Sequence, residues 1–272
     1  MTLSRHVLFL KIGIGIALCA LAAFVIFTWE ILPFYPLIGY QALERSGKLF
    51  SALHPSAYIP YATTLAALIY AFVFQVLIFY FFEKTQSREM RFMSVFVFSF
   101  VFEIFRAMIP FQQAFDLPGY YINLSAHLLM FGRFYGIFSL FAASLFVCGL
   151  KSQKEENVLF TIIIITMLIS LRLPLNVLTW DTSLAPIVGK AFIFDVFETL
   201  IILLSVASFC VGAYIKKTRE YFYIGLGIVA VFTGREFLFH SDVWISVAVG
   251  FVLLVGGTWF IGMQVRRMYL WV

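Results

Sequence analysis

The sequence predicts an all-α, polytopic integral membrane protein. Of its 272 residues, 62% are hydrophobic and only 12% are charged, whereas an ordinary soluble domain is roughly 25% charged. Apolar runs recur along the chain, and each is long enough, at about 20 residues, to cross a hydrocarbon core of roughly 30 Å as a helix. No segment outside these runs is long enough to fold as a soluble catalytic or DNA-binding domain. The net charge of +5 is therefore not interpreted as a nucleic-acid-binding surface.

Eight transmembrane helices in a single domain, residues 1–272, are predicted from the apolar runs and the residues that interrupt them. Their approximate ranges are 7–29, 58–82, 92–111, 122–149, 157–179, 187–215, 220–239 and 243–264. The first run continues to Trp29, so we interpret it as a retained helix rather than a signal peptide. The long connection 30–57 mixes prolines with apolar and basic residues, which fits either a short interfacial helix or a structured loop.

Basic residues are unevenly distributed between the two sides of this arrangement. Only Arg45 and Lys48 lie in turns on one side, and twelve lie on the other: Arg5, Lys11, Lys84, Arg88, Arg91, Lys151, Lys154, Lys216, Lys217, Arg219, Arg266 and Arg267. Because basic residues near span ends are retained in the cytoplasm, both termini are expected there, in the cytoplasmic (inner) membrane of a bacterium. Membrane lipids are expected partners, and the basic turns are where a protein partner would bind.

Nine charged residues fall within the predicted spans: Glu103, Arg106, Arg133, Arg172, Lys190, Asp195, Glu198, Arg235 and Glu236. A charge at membrane depth costs about 2.5 to 3.5 kcal/mol on insertion scales, so such residues mark a functional interior or a water-filled cavity. Counted along their helices, all nine lie at the midplane or in the outer half of the membrane. We therefore expect a charged cavity that opens outward.

Spacing predicts which of these residues share a helix face. Residues three or four positions apart lie on one face, and the pairs with this spacing are Glu103 and Arg106, Arg172 and Asn176, Asp195 and Glu198, and Glu236 and His240. These faces are expected to point into the bundle. The candidate ligand-binding residues are Glu103, Arg106, His127, Arg133, Arg172, Asn176, Asp195, Glu198, Arg235, Glu236 and His240.

The outward-running helices resemble one another weakly, because Arg106, Arg172 and Arg235 are 66 and 63 residues apart. Tandem helical hairpins would produce this spacing, and so would chance similarity between apolar helices. Arg172 is expected to be the arginine most available to an anion, since its neighbour Asn176 is neutral.

No metal site is predicted, because the chain has no Cys-x-x-Cys motif and no pair of histidines four residues apart. The sequence assigns no cofactor, and Cys19, Cys148 and Cys210 lie in apolar runs as packing residues.

Four functions are compatible with these charges. The guanidinium fork suits a carboxylate or phosphate, which favours a binding or sensory protein for an anionic small molecule or lipid head group. A membrane enzyme acting on a lipid-linked substrate at the outer leaflet would use the same residues, with a carboxylate as general acid or base. A transporter would need a polar route through both halves of the membrane. A structural subunit would use the charges only as ion pairs that fix the helix order.

Overall fold

The protein folds as a bundle of membrane helices. The computed structural model describes residues 3–31, 58–82, 87–115, 118–150, 155–180, 184, 186–188, 191–241 and 243–270. The interfacial helix predicted in the connection 30–57 lies outside these residues. The helices are α1 Leu3–Ile31, α2 Ile59–Phe82, α3 Arg88–Ser99, α4 Met108–Phe115, α5 Gly119–Val147, α6 Glu155–Arg172, α7 Ala191–Lys216, α8 Glu220–Phe239 and α9 Trp244–Leu270. A 3-10 helix, Phe100–Ala107, joins α3 to α4 without a break.

Among the described residues, seven helical segments are long and apolar enough to cross a membrane. The prediction of a multi-pass helical membrane protein is therefore confirmed. The predicted count of eight spans is not confirmed, because α6 is not among the seven. This helix has 18 residues and includes Glu155, Glu156 and Arg172.

The predicted helix over 157–179 is wrong beyond Arg172. Pro174 has no backbone N–H and disfavours a helical conformation at the preceding residue, so the chain leaves the helix there. A short antiparallel hairpin follows, with strands β1 Leu175–Trp180 and β2 Pro186–Val188. The next helix consequently begins at Ala191, later than the predicted residue 187.

The helix ends that carry basic residues meet at one end of the bundle, which we term the basic end. Arg91 at the start of α3 forms an ion pair of 3.0 Å with Glu155 at the start of α6. The hydroxyl groups of Tyr221 on α8 and Tyr269 on α9 both donate hydrogen bonds to Glu89, at 3.4 and 3.0 Å. The Lys216 ammonium, at the end of α7, donates to the Tyr221 hydroxyl at 3.2 Å. These contacts place the ends of five helices together.

Helix α5 occupies a central position, in contact with α3, the 3-10 helix, α4, α6 and α7. It approaches the 3-10 helix closely because Gly132 has no side chain: a Cβ atom there would lie 2.3 Å from the Cβ of Phe102. The α8–α9 hairpin is packed in the same way. A Cβ at Gly234 would lie 2.5 Å from the backbone nitrogen of Leu254. Both glycines directly precede an arginine, so close backbone packing and charged side chains occur together.

Candidate functional site: a buried arginine–glutamate cluster

Six charged side chains from four helical segments meet in the interior of the bundle. We term them the Arg–Glu cluster; they are Glu103, Arg106, Arg133, Glu198, Arg235 and Glu236. Arg235 is 14 residues along α8 from Tyr221 at the basic end. At 1.5 Å per residue, the cluster therefore lies about 20 Å from that end. The three positive and three negative formal charges balance when all carboxylates are ionised.

The deepest part of the cluster is centred on Glu103. One carboxylate oxygen of Glu103 lies 2.7 Å from Arg106 Nε, and the other lies 3.2 Å from Arg133 Nε. Arg106 also donates to the Phe239 carbonyl oxygen at 3.0 Å and to the Thr63 hydroxyl at 3.3 Å. The side chains of Glu103 and Arg106 are each only 2% exposed. This part of the cluster is therefore shielded from solvent and lipid.

The 3-10 helix explains why Glu103 and Arg106 face the same way. Side chains three residues apart are eclipsed in a 3-10 helix, whereas in an α-helix they diverge by about 60°. Phe100, Glu103 and Arg106 therefore form one column, and all three are buried. The 3-10 geometry thus aligns Glu103 and Arg106 more closely than an α-helix would, although residues three positions apart are also neighbours on an α-helix.

The aromatic ring of Phe239 lies against all three guanidinium groups. Its centroid is 5.3 Å from Arg106 Cζ, 4.5 Å from Arg133 Cζ and 4.8 Å from Arg235 Cζ. The negative face of an aromatic ring attracts cations within about 6 Å. The ring therefore supplies attraction where three positive charges would otherwise repel one another.

The cluster becomes accessible between α7 and α8. Arg235 Nη1 lies 3.3 Å from Glu198 and 2.9 Å from Glu236, and Glu236 lies 3.3 Å from His240 Nδ1. Exposure rises along this series, from 3% for the Arg235 side chain to 18% for Glu198, 32% for Glu236 and 57% for His240. We term Glu198, Glu236 and His240 the accessible edge.

Arg133 has one buried donor without an acceptor in the described part of the chain. Nη2 of Arg133 is buried and has no hydrogen-bond partner among the described residues. Buried polar groups are nearly always hydrogen-bonded, so a buried N–H without an acceptor indicates a missing partner such as water, an ion or a ligand.

The structure brings together seven of the sequence-predicted site residues: the six of the cluster and His240. Of the other four, His127, Arg172 and Asp195 do not contact the cluster in the described part of the chain, and Asn176 lies in strand β1. His127 contacts the Ser170 backbone carbonyl at 2.7 Å, and the Ser170 hydroxyl donates to the His127 carbonyl, so both join α5 to α6. Asp195 is exposed on α7.

Arg172 and Asn176 do not share a helix face, contrary to the prediction. Arg172 ends α6 and is exposed, while Asn176 lies in β1, where its backbone pairs with Ile187. No ion pair joins Arg172 to any residue in the described ranges. Lys190 lies outside the described residues.

Two neighbours of the cluster were not found from the sequence. Phe239 is one of 34 phenylalanines, and nothing in its local sequence marks it as the ring that three arginines contact. Thr63 is one turn from the start of α2, and its contact with Arg106 depends on how distant helices pack.

Comparisons of the chain with protein-family models, with curated proteins and with solved structures found no match. Within the described ranges, no group of three His, Cys, Asp or Glu residues is placed to hold a metal ion. Functional inference therefore depends on the geometry of the cluster itself.

Proposed function

We propose that the protein is a membrane-embedded binding protein of the sensory type, which takes a small molecule or lipid head group with an anionic group at the Arg–Glu cluster. The observation that carries this proposal is the buried Arg133 Nη2 without an acceptor among the described residues. A phosphate or carboxylate oxygen would complete its hydrogen bonding. A charge-assisted hydrogen bond of this kind contributes about 1.5 to 3 kcal/mol.

The accessible edge restricts the ligand further. An approaching molecule meets the carboxylates of Glu198 and Glu236 before it reaches the guanidinium groups, because Arg133 and Arg235 are more deeply buried. A bare anion would be repelled by these carboxylates. A ligand with a cationic ammonium group beside its anion complements both layers of charge. Phosphoethanolamine, either free or as a phospholipid head group, has this chemistry.

The test compares phosphatidylethanolamine with phosphatidylcholine, which has the same phosphate but no ammonium N–H. Delipidated protein in neutral detergent should be stabilised against thermal unfolding more by short-chain phosphatidylethanolamine. Soluble phosphoethanolamine distinguishes a free ligand from a lipid head group. Arg133→Gln removes the proposed phosphate contact, which both lipids share, so it should abolish stabilisation by either lipid, while Glu103 stays paired with Arg106.

Arg172→Gln is the matched control, since Arg172 is exposed and outside the cluster. It should bind both lipids as the parent does. If the two lipids stabilise Arg133→Gln as much as they stabilise the parent, or if the parent shows no preference for the ethanolamine head group, the proposed site is wrong.

Transport is less well supported by the same geometry. Between the cluster and the basic end, the Tyr70 and Thr258 hydroxyl groups bond to each other at 2.7 Å. Gln75 donates to the Ser94 carbonyl at 2.8 Å. These buried polar groups satisfy one another within the packed interior and offer no evident polar route.

We further propose that α6 is an eighth crossing and that the basic end is cytoplasmic, in the cytoplasmic membrane of a bacterium. Two contacts support the crossing: Glu155, at the start of α6, lies at the basic end, and Ser170, near its end, lies beside His127. An 18-residue helix is about 27 Å long, close to the thickness of a hydrocarbon core.

A further inference from the structure

An apolar groove runs between α2 and α9 in the half of the bundle that contains the basic end. Its walls include Phe74, Ile78 and Phe82 from α2, Met90 from α3, and Trp259 and Met263 from α9. Space remains in the groove beside Gly262, where an added Cβ would have its nearest neighbour, Phe82 Cε2, at 4.0 Å. The groove therefore offers an apolar surface on the outside of the bundle.

A single charged side chain, Arg266, lines this groove. Its Cζ lies 5.5 Å from the centroid of the Phe81 ring, which holds the guanidinium at the mouth of the groove. Arg266 is exposed, and no carboxylate in the described part of the chain pairs with it. From Thr258 to Arg266 the groove follows eight residues of α9, or about 12 Å.

We propose that the groove binds an anionic phospholipid, with one acyl chain along the apolar walls and the phosphate on Arg266. An acyl chain packs favourably against an apolar surface, and an unpaired guanidinium is stabilised by a hydrogen bond to a phosphate oxygen. The cation stands at only one end of the groove, which matches the shape of a lipid rather than that of a peptide. Anionic lipids are also attracted to basic residues at the cytoplasmic surface.

This lipid site is separate from the Arg–Glu cluster and does not depend on the proposed function. Arg266 and Arg91 belong to the basic end, about 20 Å from the cluster along the helices. Arg133→Gln should therefore leave the groove unaffected, so the two proposals can fail independently.

The experiment measures lipid binding to the full chain by native mass spectrometry in neutral detergent, with phosphatidylglycerol and phosphatidylcholine of equal chain length. The parent should retain one phosphatidylglycerol molecule in preference to phosphatidylcholine. Arg266→Gln should weaken phosphatidylglycerol binding about tenfold, the effect of losing one charge-assisted hydrogen bond. Gly262→Leu should fill the groove and weaken the binding of both lipids.

Matched controls lie on the same helix. Arg267→Gln removes a neighbouring exposed cation that does not line the groove, and Gly256→Leu adds the same side chain where no heavy atom lies within 4 Å of the added Cβ. Both should bind as the parent does. If Arg267→Gln weakens binding as much as Arg266→Gln, bulk surface charge is responsible and the site is refuted. The site is also refuted if Gly262→Leu binds both lipids as the parent does. Arg266→Lys, which keeps the charge, should retain the lipid preference. That result would show that the loss of lipid binding in Arg266→Gln does not come from misfolding.

Discussion

At the scale of single residues, the cluster is organised by Phe239 as much as by its carboxylates. An arginine cannot relieve repulsion by losing its proton, so three guanidinium groups around one point need a fixed source of attraction. The Phe239 ring provides it on its faces, while its own backbone carbonyl accepts a hydrogen bond from Arg106. One residue thus contributes both a ring and an acceptor to the cluster.

Phe239→Leu tests the role of the ring. Leucine keeps an apolar, smaller side chain but has no π-system, so the attraction to three cations is lost. We expect a loss of about 1 to 3 kcal/mol in the free energy of unfolding, since desolvated cation–π contacts contribute up to about 2 kcal/mol each. Phe237→Leu, on the same helix but 45% exposed, is the control. Equal losses in the two variants, measured by thermal unfolding in detergent, would contradict this role.

Glu103→Gln tests the deepest ion pairs. The amide keeps the shape of the side chain but leaves the Arg106 and Arg133 charges without their shared partner. Removal of one partner from a buried pair costs about 3 to 5 kcal/mol. Glu236→Gln removes a carboxylate that is 32% exposed while Arg235 keeps Glu198, so the loss should be below about 1 kcal/mol. Similar melting temperatures for the two variants would show that burial does not determine how much each carboxylate contributes to stability.

How much of the site the sequence could predict depends on the distance along the chain between partners. The spacing of Glu103 and Arg106, and of Glu236 and His240, is local and predicts the observed contacts. The contacts of Glu103 with Arg133 and of Glu198 with Arg235 join helices 30 and 37 residues apart. Those depend on helix packing, which helix periodicity alone does not determine.

At the scale of helices, small residues determine how closely the charged segments approach. Gly132 and Gly136 are one helical turn apart on α5, and a Cβ at Gly136 would lie 2.4 Å from the Ser99 hydroxyl. Close approach of α5 to the 3-10 helix brings Arg133 within reach of Glu103. Small residues four apart are a common device for close packing of membrane helices.

Gly132→Ala should disrupt this approach. The added Cβ would lie 2.3 Å from Phe102 Cβ and 2.7 Å from Phe102 Cγ; rotation of the side chain cannot move the Phe102 Cβ. We expect a loss of about 1 to 3 kcal/mol, as for other overpacked cores. Gly119→Ala on the same helix meets no heavy atom within 4 Å and should unfold at the temperature of the parent. An unchanged melting temperature for Gly132→Ala would mean that α5 is not held this closely.

The contact between α3 and α6 at the basic end predicts a pH dependence. Burial outweighs the attraction of Arg91 and raises the pKa of Glu155 above its ordinary value of 4.5. A carboxyl group whose pKa is raised on folding contributes stability that is present below the unfolded pKa. That contribution is lost as the pH rises through the folded pKa. Glu155→Gln should therefore lose less thermal stability than the parent as the pH rises above about 4.5. Parallel pH profiles for variant and parent would refute this assignment.

The end of α6 shows where helix prediction failed. The apolar run continues past Pro174 to Trp180, so hydropathy alone extends the span to residue 179. Backbone geometry decides otherwise, because the proline ends the helix and the following β-branched and aromatic residues pair as β1. The presence of membrane helices was predictable from composition, whereas this boundary depended on one residue.

At the scale of the whole molecule, charge is separated by depth. Five helix ends meet at the basic end, and the Arg–Glu cluster lies about 20 Å away with balanced formal charges. Exposed apolar side chains such as Ile12 on α1 and Leu203 on α7 cover the outer faces between these levels. If the basic end lies at one membrane surface, as proposed, this separation puts the accessible edge near the other.

The orientation of α6 decides the topology, and single-cysteine labelling can measure it. In a background without Cys19, Cys148 and Cys210, Ser152→Cys precedes α6 and Ser183→Cys follows it. If α6 crosses the membrane with its start at the cytoplasmic surface, a membrane-impermeant maleimide should label Ser183→Cys in intact bacterial cells. Ser152→Cys should then react only in inside-out vesicles.

Thr218→Cys at the basic end and Tyr120→Cys at the start of α5 provide the cytoplasmic and outer references. The distribution of basic residues predicts this result, because their retention in the cytoplasm would hold the basic end there. Labelling of Ser152→Cys and Ser183→Cys from the same side would show that α6 does not cross, which would leave seven spans and place the two termini on opposite sides of the membrane.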